Sequence, residues 1–586
     1  MSRSASKEIK TSIIHQKQKN GDVYVLERKR VFDPKKGYTK IVSSKLIGKI
    51  PNGSSEMVST RPKKKSGKND KTDDHAGHEE RLTASRVKIG MMNIIDHIGK
   101  ESGIDDGVYN NTDLGTAQKI ISLARYLIAT NGQSLPGITT FQLTHKLPYA
   151  EGINENIYSS LFREIGRDES LQQGFFLNRC SKLGSTAVLA YDSTTISTYS
   201  ENLSEARQGY NKANDGLDTV KLITLYSIDA RQPVAFTKQP GNIPDVISIG
   251  SAIKQLEGLG VKKAIIVSDN GFYSEENLAD MLHEHYNFIT LSKVNIKWVK
   301  SVLEEHKDEL EDIESAVPFD PLTRAVTSKV MHTFKYTRKY ASKKKGLNKG
   351  DKMEFTRKVY VHIYFNATKR NNLIASFDNR LLEIKKELES GREADELSVN
   401  AQKKIEKYFR ITKKGGKTVV SFNKEAVREA KKYYGYFALV TNCEKDPFKC
   451  LQTYRKRETI ESFFESGKER ADGMRTRVWD TDALRGRMFV QFVALCYYEY
   501  INEELRQMKE RLGVENGDPK HDLKTNINKE KKLKSWLVNT PTYLILQWFD
   551  TLESVEISRQ LSKKRWSTEM TARDKLFLKE LGLEDN

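Results

Sequence analysis

The middle of the chain alternates short apolar runs with amphipathic segments, a pattern typical of an α/β fold. STAVLAYDSTTIS (185–197) and VKKAIIVSDNGF (261–272) are rich in Val, Ile and Ala, and each predicts a strand that ends at an acidic residue. Between them, VKLITLYSID (220–229) and PVAFTKQP (233–240) predict two more strands. DVISIGSAIKQLEGLG (245–260) has the spacing of a helix that packs on a sheet.

From residue 295 to 432 the sequence becomes strongly charged and this alternation stops. SKVMHTFKYTRKY (328–340) and RKVYVHIYFNA (357–367) resemble strands, whereas 378–410 has helical spacing. YYGYFALVTN (433–442) resumes the earlier pattern, and a long helix is expected to follow it. We therefore predict that a β-rich insertion domain interrupts the α/β core.

The two ends of the chain have patterns of their own. Strand-like segments at 22–31 and 38–47 flank a turn with Pro34 and Gly37, which predicts a β-hairpin. Residues 51–80 contain the basic run RPKKKSGK and are interpreted either as a solvated tether or as a DNA-backbone contact. The flanking regions before and after the core are predicted to be mainly helical.

The composition and net charge of the chain exclude several classes of protein. The 586 residues include 98 Lys and Arg against 78 Asp and Glu, a net charge of +20, and 37% are hydrophobic. That apolar share excludes a wholly disordered chain, and the longest apolar stretch, Met488 to Tyr498, is shorter than the roughly 20 residues that span a bilayer. The start has no apolar segment typical of a secretory signal, and four scattered cysteines indicate reduced thiols in a cytoplasm. The positive charge favours nucleic acid as a partner, with ribosomal, membrane-surface and merely soluble basic proteins as alternatives.

Three carboxylates are candidates for catalysis. Asp192 and Asp269 follow apolar strands, and Glu461 lies on the helix after the strand at 433–442. Side chains beyond the carboxyl ends of neighbouring strands meet at one edge of an α/β sheet. Their mutual repulsion favours a cation between them, and Mg²⁺ prefers oxygen ligands. Two such ions about 4 Å apart support phosphoryl transfer by activating a water or a 3′-hydroxyl.

The predicted helix YRKRETIESFFESGK (454–468) places four polar residues on one stripe. At about 100° per residue, Tyr454 lies at about +20°, Arg457 at about −40° and Lys468 at about −20° relative to Glu461. A carboxylate between cations suits a site where a metal ion and phosphates meet.

An ordinary amphipathic helix with ion pairs four residues apart explains the same spacing. Glu458 and Glu465 lie near the same face, so they are both candidates for such pairs and rivals of Glu461 as the metal ligand.

These residues also carry a family resemblance. Tyr454, Arg457, Glu461 and Lys468 match the Y-x2-R-x3-E-x6-K signature of DDE insertion-sequence transposases. AYDSTTIS and VSDNGFYSEENL resemble the contexts of the first and second Asp in that family, and GNIPD (241–245) resembles a Gly-Asn segment of one of its branches. The resemblance covers roughly residues 185–500.

The resemblance implies an RNase H-like catalytic core and cut-and-paste transposition. Asp192, Asp269 and Glu461 would hold two Mg²⁺ ions, for which Mn²⁺ would substitute, and Tyr454, Arg457 and Lys468 would contact terminal phosphates. The partners implied are the inverted-repeat ends and target DNA, bound by a homodimer on paired ends, in the cytoplasm of a bacterium or archaeon and without a membrane. Some relatives form a DNA hairpin with a flipped base, which Trp298 could hold, although a packing role for this residue is the other interpretation.

The sequence thus predicts a multidomain α/β protein. The expected parts are an N-terminal β-hairpin unit (1–50), a basic linker (51–80), a helical domain that binds DNA ends (81–184), the first part of the core (185–294), the insertion domain (295–432), the second part of the core with the Glu461 helix (433–509) and a C-terminal helical region that could serve dimerisation (510–586). Two alternatives are an RNase H-fold nuclease or resolvase without strand transfer, and a non-catalytic DNA-binding protein derived from a transposase.

Overall fold

The computed structural model describes most of the chain in two units, Met1–Glu80 and Arg81–Asn586. The described residues are 9–18, 21–33, 38–58, 83–184, 187–211, 213, 215–338, 348–392, 396–414, 417–518, 521–559 and 562–583. The basic run at 61–68 lies outside them.

The N-terminal unit is an antiparallel sheet of three described strands, in the order β1-β2-β3. They are β1 (Ile9–Lys17), β2 (Val23–Asp33) and β3 (Tyr38–Ile50). The predicted hairpin corresponds to β2 and β3, while β1 was not predicted. Asp22 joins the two ends of the hairpin, because its carboxylate pairs with Lys49 at 2.8 Å and accepts the Asn52 amide at 3.0 Å.

The second unit begins with a short strand and a group of helices. These are β4 (Thr83–Lys88), α1 (Gly90–Glu101), α2 (Ile104–Tyr109), α3 (Leu114–Ala129), α4 (Ile138–Phe141), α5 (Glu155–Arg167) and α6 (Glu169–Ser181). Asp113, Asn154 and Asp168 begin α3, α5 and α6 as N-caps, each accepting a backbone N–H of the first turn. The sequence predicted this helical region, although not its first strand.

A nine-stranded mixed sheet forms the centre of the second unit, in the order β10-β11-β12-β15-β9-β8-β5-β6-β7. Its strands are β5 (Ala187–Thr198), β6 (Asp218–Ser227), β7 (Gln232–Pro240), β8 (Ala264–Ser268), β9 (Asn287–Ser292), β10 (Ala316–Val317), β11 (Asp320–Thr337), β12 (Lys352–Asn366) and β15 (Tyr436–Thr441). β8 runs parallel to both β5 and β9, and the other neighbours are antiparallel. The helices α7 (Ile249–Gly258) and α8 (Glu275–His283) lie between these strands in the chain.

The predicted strand that carries Asp192 is longer than expected. β5 continues past Asp192 to Thr198, so the prediction that this strand ends at the acidic residue was wrong. The reason is that β6 stays paired with β5 as far as Thr198, whereas the parallel neighbour β8 stops pairing at Ser268.

The segment predicted as a β-rich insertion is mixed in structure. It contains α9 (Lys297–His306), α10 (Ala367–Glu389), α11 (Val399–Tyr408), the hairpin of β13 (Phe409–Lys414) and β14 (Lys417–Phe422), and α12 (Lys424–Lys431), in addition to β10–β12. β11 and β12 extend the central sheet, because β12 pairs with β15. The part after Asn366 has a separate small core that includes Leu381, Ile384 and Ile405.

The part of the chain after β15 packs on the helical region. It comprises α13 (Pro447–Arg455), α14 (Glu458–Arg470), α15 (Thr481–Arg511), α16 (Lys524–Asn539), α17 (Thr542–Phe549), β16 (Glu553–Arg559), β17 (Ser562–Ser567) and α18 (Ala572–Glu580). α15 packs against α3 and α5, and β16 pairs with both β17 and β4. The prediction of a C-terminal helical region at 510–586 did not include the pair of strands β16 and β17. Across the described residues, no helix is both long and apolar enough to cross a membrane.

Candidate active site

The two candidate aspartates lie side by side at one edge of the central sheet. Tyr191 and Ser268 are the last parallel partners of β5 and β8, so Asp192 and Asp269 each come one residue later. The Asp269 carboxylate accepts the Asn270 N–H at 2.7 Å and begins a short 3₁₀ turn. Because β5 and β8 are parallel and in register, the two carboxylates lie at the same edge of the sheet, as expected for residues beyond the ends of parallel strands.

The signature segment is two helices instead of the single helix predicted. α13 ends at Arg455 and α14 begins at Glu458. Between them, the Arg457 N–H bonds to the Tyr454 carbonyl at 3.0 Å and the Ile460 N–H bonds to the Arg457 carbonyl at 2.9 Å. These bonds span three residues, which tightens the backbone into a 3₁₀-like turn. Arg457 therefore lies at the junction of the two helices.

Arg457 joins two of the candidate carboxylates. Its Nη1 donates to Asp192 Oδ2 and its Nη2 to Glu461 Oε1, both at 2.9 Å. The Tyr454 hydroxyl donates to Asp269 Oδ1 at 3.1 Å, and the Arg457 guanidinium lies 5.5 Å from the centre of the Tyr454 ring. Five of the six predicted site residues thus form one connected cluster.

The cluster is buried on one side and open on the other. The side chains of Arg457 and Asp192 are 8% and 13% exposed, whereas that of Glu461 is 55% exposed. Among the described residues, the buried Nε–H of Arg457 has no hydrogen-bond acceptor. A buried donor without an acceptor is costly, so a further acceptor would bind favourably here, although other buried arginines such as Arg179 and Arg487 share this feature in the described residues.

Electrostatics keep Arg457 charged and Tyr454 protonated. Burial and the Asp269 carboxylate raise the pKa of Tyr454, although Arg457 acts in the opposite direction. Burial opposes the charge of Arg457, but Tyr454 and the three surrounding carboxylates raise the pKa of its guanidinium above the usual value. The cluster therefore offers a fixed positive charge and a neutral hydroxyl donor.

Lys468, the sixth predicted residue, lies further along α14. It follows Glu461 by seven positions, which is about 10 Å along a helix axis. It is half-buried and lines a small cavity with Thr194 and Gly473. Lys468 is thus beside β5, beyond the carboxylate cluster.

The structure distinguishes Glu461 from its two rivals. Glu461 bonds to Arg457, whereas Glu465 lines a different cavity of about 410 Å³ with Arg231 and Glu503. Glu458 is an exposed residue in the first turn of α14. Glu461 is therefore the glutamate of this helix that the hydrogen bonds connect to Asp192.

The donor set suits a hard divalent cation. Asp192, Asp269 and Glu461 supply carboxylate oxygens, the ligands that Mg²⁺ prefers. The Arg457 guanidinium lies between Asp192 and Glu461, so a positive charge already occupies the space between two of these carboxylates. In the described part of the chain, no three His, Cys, Asp or Glu side chains are close enough together to hold an ion. As placed here, the three carboxylates supply oxygen ligands of the right chemistry but do not form a metal site, because Arg457 pairs with Asp192 and Glu461.

The sequence interpretation missed a fourth carboxylate near this edge. Asp245 accepts the Ser193 hydroxyl at 2.8 Å and pairs with Lys221 at 2.7 Å. Two signals could have indicated it. GNIPD ends in this Asp, and a lysine inside the apolar strand VKLITLYSID requires a buried partner.

Trp298 has the packing role that the sequence left open as an alternative. Its ring stacks on His332 with 4.4 Å between ring centres, and it packs against the main core.

Comparison with known proteins agrees with the signature. The family described as the transposase DDE domain matches residues 184–497, which is more than half of the chain, so the chain belongs to this family. The protein is therefore a DDE-type transposase.

Other comparisons add little. A solved structure of the piggyBac transposase synaptic complex with hairpin DNA is 10% identical over 78% of this chain and 81% of that one, with a TM-score of 0.34. That score is too low to support an inference. No curated protein matches the chain.

Proposed function

We propose that this protein is a cut-and-paste DNA transposase, which binds the inverted-repeat ends of its own insertion sequence, cleaves them by metal-dependent hydrolysis and joins the 3′-hydroxyl ends to target DNA. The observation that carries the proposal is the cluster of Asp192, Asp269 and Glu461 around Arg457 and Tyr454. All five residues fall within the segment that matches the transposase family.

The proposal includes an RNase H-like core. It is supported by the strand order β7-β6-β5-β8-β9, in which an antiparallel meander continues on the other side of β5 as two parallel strands. Residues 295–432 would be an insertion between Asp269 and Glu461, with the separate small core after Asn366 as its outer part. We propose the remaining domain divisions as predicted from the sequence.

Each residue of the cluster has a proposed role. Asp192, Asp269 and Glu461 would hold two Mg²⁺ ions, or Mn²⁺ in their place. When bound, the ions would supply an activated water or 3′-hydroxyl and stabilise the leaving oxygen. The fork of Arg457 suits a phosphate, so we expect a DNA phosphate to compete with Asp192 and Glu461 for this guanidinium.

Tyr454 and Lys468 complete the phosphate contacts in this proposal. The Tyr454 hydroxyl is a neutral donor held beside Asp269, and it can turn to a phosphate oxygen without a change of charge. Lys468 lies about 10 Å from Glu461 along α14, which suits a phosphate further along the same DNA strand.

The proposed partners are DNA and a second copy of the chain. Double-stranded DNA would be bound at inverted repeats through the helical domain at 81–184, and a homodimer would pair two ends, with 510–586 as its proposed contact. The net charge of +20 supports a polyanionic partner. The reaction would take place in the cytoplasm of a bacterium or archaeon.

The test uses a supercoiled plasmid that carries the gene with its flanking DNA. We expect the full-length protein with Mg²⁺ or Mn²⁺ to make paired breaks at short inverted repeats and to join the ends to other DNA. Glu461→Gln should retain end binding but lose roughly 10⁴-fold in cleavage, because an amide is a poor replacement for an anionic ligand. Glu465→Gln, on the same helix but facing another cavity, is the matched control and should cleave normally.

The products separate this proposal from its alternatives. Breaks without joined products would indicate a nuclease or resolvase. Binding to the flanks without breaks would indicate a non-catalytic DNA-binding protein. Normal cleavage by Glu461→Gln would contradict the assignment of this glutamate.

A further inference from the structure

The segment between β7 and α7, residues 241–248, lies close against the catalytic edge. It contains the GNIPD motif and a 3₁₀ turn at Asp245–Ser248. Gly241 fits because a Cβ there would lie 2.2 Å from the Thr219 carbonyl oxygen. The glycine allows the segment to run directly against β6.

On one side, this segment bonds to the two residues that flank Asp192. The Tyr191 hydroxyl donates to the Ser248 carbonyl at 2.9 Å, and the Ser193 hydroxyl donates to Asp245 Oδ1 at 2.8 Å. Because side chains alternate along a strand, Tyr191 and Ser193 point to the opposite face from Asp192. The segment therefore contacts β5 on the face opposite the Asp192 side chain.

On the other side, Asn277 links the segment to the turn that follows Asp269. Asn277 of α8 donates to the Val246 carbonyl at 2.7 Å and to the Phe272 carbonyl at 2.8 Å. Asp245 itself lies next to this turn, since a Cβ on Gly271 would be 3.4 Å from Asp245 Oδ2. Both aspartates are thus tied to the same short stretch of chain.

A buried charge pair fixes the centre of the segment. Lys221 of β6, whose side chain is 9% exposed, pairs with Asp245 Oδ1 at 2.7 Å and also donates to the Ile243 carbonyl. A lysine buried to this extent needs an anionic partner. The pair therefore holds the Asp245 carboxylate in one position, where it can accept the Ser193 hydroxyl.

We infer that Asp245, held by Lys221, is a positioning residue that sets the separation of Asp192 and Asp269. This inference rests on the proposed function, in which those two aspartates share metal ions. In this inference Asp245 acts through its bond to Ser193 and its packing against the turn after Asp269, and not by contact with the DNA or the reacting atoms. Outer partners of metal ligands commonly influence metal affinity by about 10- to 100-fold.

The test compares three variants of the full-length protein. Ser193→Ala removes the bond to β5 but leaves the ion pair, Asp245→Asn removes one charge, and Lys221→Met with Asp245→Asn removes both. Two quantities are measured without DNA: amide hydrogen exchange around residues 190–194 and 269–273, and Mn²⁺ binding by calorimetry. Thermal unfolding reports the stability of each variant.

We expect faster exchange at residues 190–194 and Mn²⁺ binding weakened about tenfold in Ser193→Ala, with little change in melting temperature, and faster exchange at both sites in Asp245→Asn. The double variant should recover the stability lost by Asp245→Asn, since no charge stays buried alone, but not its Mn²⁺ affinity. Unchanged exchange at residues 190–194 in Ser193→Ala, or full recovery of Mn²⁺ binding by the double variant, would overturn the inference. A wild-type protein that binds no Mn²⁺ would refute the proposed function instead, while the exchange measurement still tests the positioning role.

Discussion

Two clusters in this protein share the same chemistry but differ in their surroundings. At the sheet edge, Arg457 bonds to Asp192 and Glu461 beside Tyr454. In the helical region, Arg125 bonds to Asp96 and Asp105 beside Tyr497. Each arginine therefore joins two carboxylates and lies next to one tyrosine.

The differences indicate which cluster is structural. The Nε of Arg125 donates to the Tyr497 hydroxyl at 3.4 Å, so all three of its nitrogens have partners, whereas the buried Nε of Arg457 has none among the described residues. The hydrogen bonds of Arg125, which lies on α3, link that helix to α1, α2 and α15. Arg457 lies at a helix junction, with Asp269 as a third carboxylate close by. A satisfied network stabilises a fold, and an incompletely satisfied one at an edge is suited to a ligand.

The largest expected effect is on the structural cluster. Arg125→Met removes the partner of Asp105, whose side chain is 8% exposed, and leaves that carboxylate buried without its cation. Breaking a buried pair in this way costs about 3–5 kcal/mol, so we expect a large fall in the free energy of unfolding, measured by denaturant titration. Arg163→Met is the control, because its pair with Asp480 is exposed and worth about 1 kcal/mol or less. Equal effects of the two substitutions would contradict this interpretation of Arg125.

A third carboxylate–tyrosine pair, which lacks a bonded arginine, sharpens the comparison. Glu499 of α15 accepts the Tyr226 hydroxyl at 2.8 Å, and burial raises the pKa of Glu499 from 4.5 to about 7. Because the folded state binds this proton more tightly than the unfolded state, the stabilisation is complete below about pH 4.5 and is lost as pH rises to about 7.

We expect this group to reduce stability by about 3 kcal/mol between these pH values. Glu499→Gln keeps an acceptor for Tyr226 and removes the titration, so its stability should change less with pH over the same range. Parallel pH profiles of the two proteins, measured by denaturant titration, would show that Glu499 does not titrate near neutrality.

The sequence predicted that three residues of the candidate site lie close together, because their placement depends on local spacing. Tyr454, Arg457 and Glu461 lie within a span of eight residues. They therefore stay close together even though the helix is interrupted. The interruption was not predictable, since Arg455, Lys456 and Arg457 are all good helix formers. A tertiary contact to Asp192 accompanies the backbone change at Arg457.

Features that depend on distant pairings were missed. β16 pairs with β4, which lies near the other end of the unit, and no local pattern identifies such a partner. Asp245 and Lys221 meet only because β6 and the 241–248 segment lie side by side. The strand itself was predictable from its Val, Ile and Leu residues, while the partner of its lysine depended on the tertiary fold.

The smallest expected effect, and the most direct test of the comparison, concerns Arg457. Arg457→Met removes the same chemical group as Arg125→Met. It leaves Asp192, which is 13% exposed, without its cation, but Glu461 is 55% exposed and can turn into water, so we expect a stability loss of about 2 kcal/mol, smaller than that of Arg125→Met. End binding should weaken about tenfold, and the slope of log affinity against log salt should fall by about one, because one phosphate contact is lost.

Lys456→Gln is the matched control for this substitution. It removes an exposed charge from the adjacent position without disturbing the bonds to Asp192 and Glu461. We expect a smaller change in end binding than Arg457→Met produces, with the stability unchanged. If Arg457→Met instead unfolds as readily as Arg125→Met and keeps the wild-type salt slope, both arginines are structural, and the unpaired Nε of Arg457 does not mark a phosphate site.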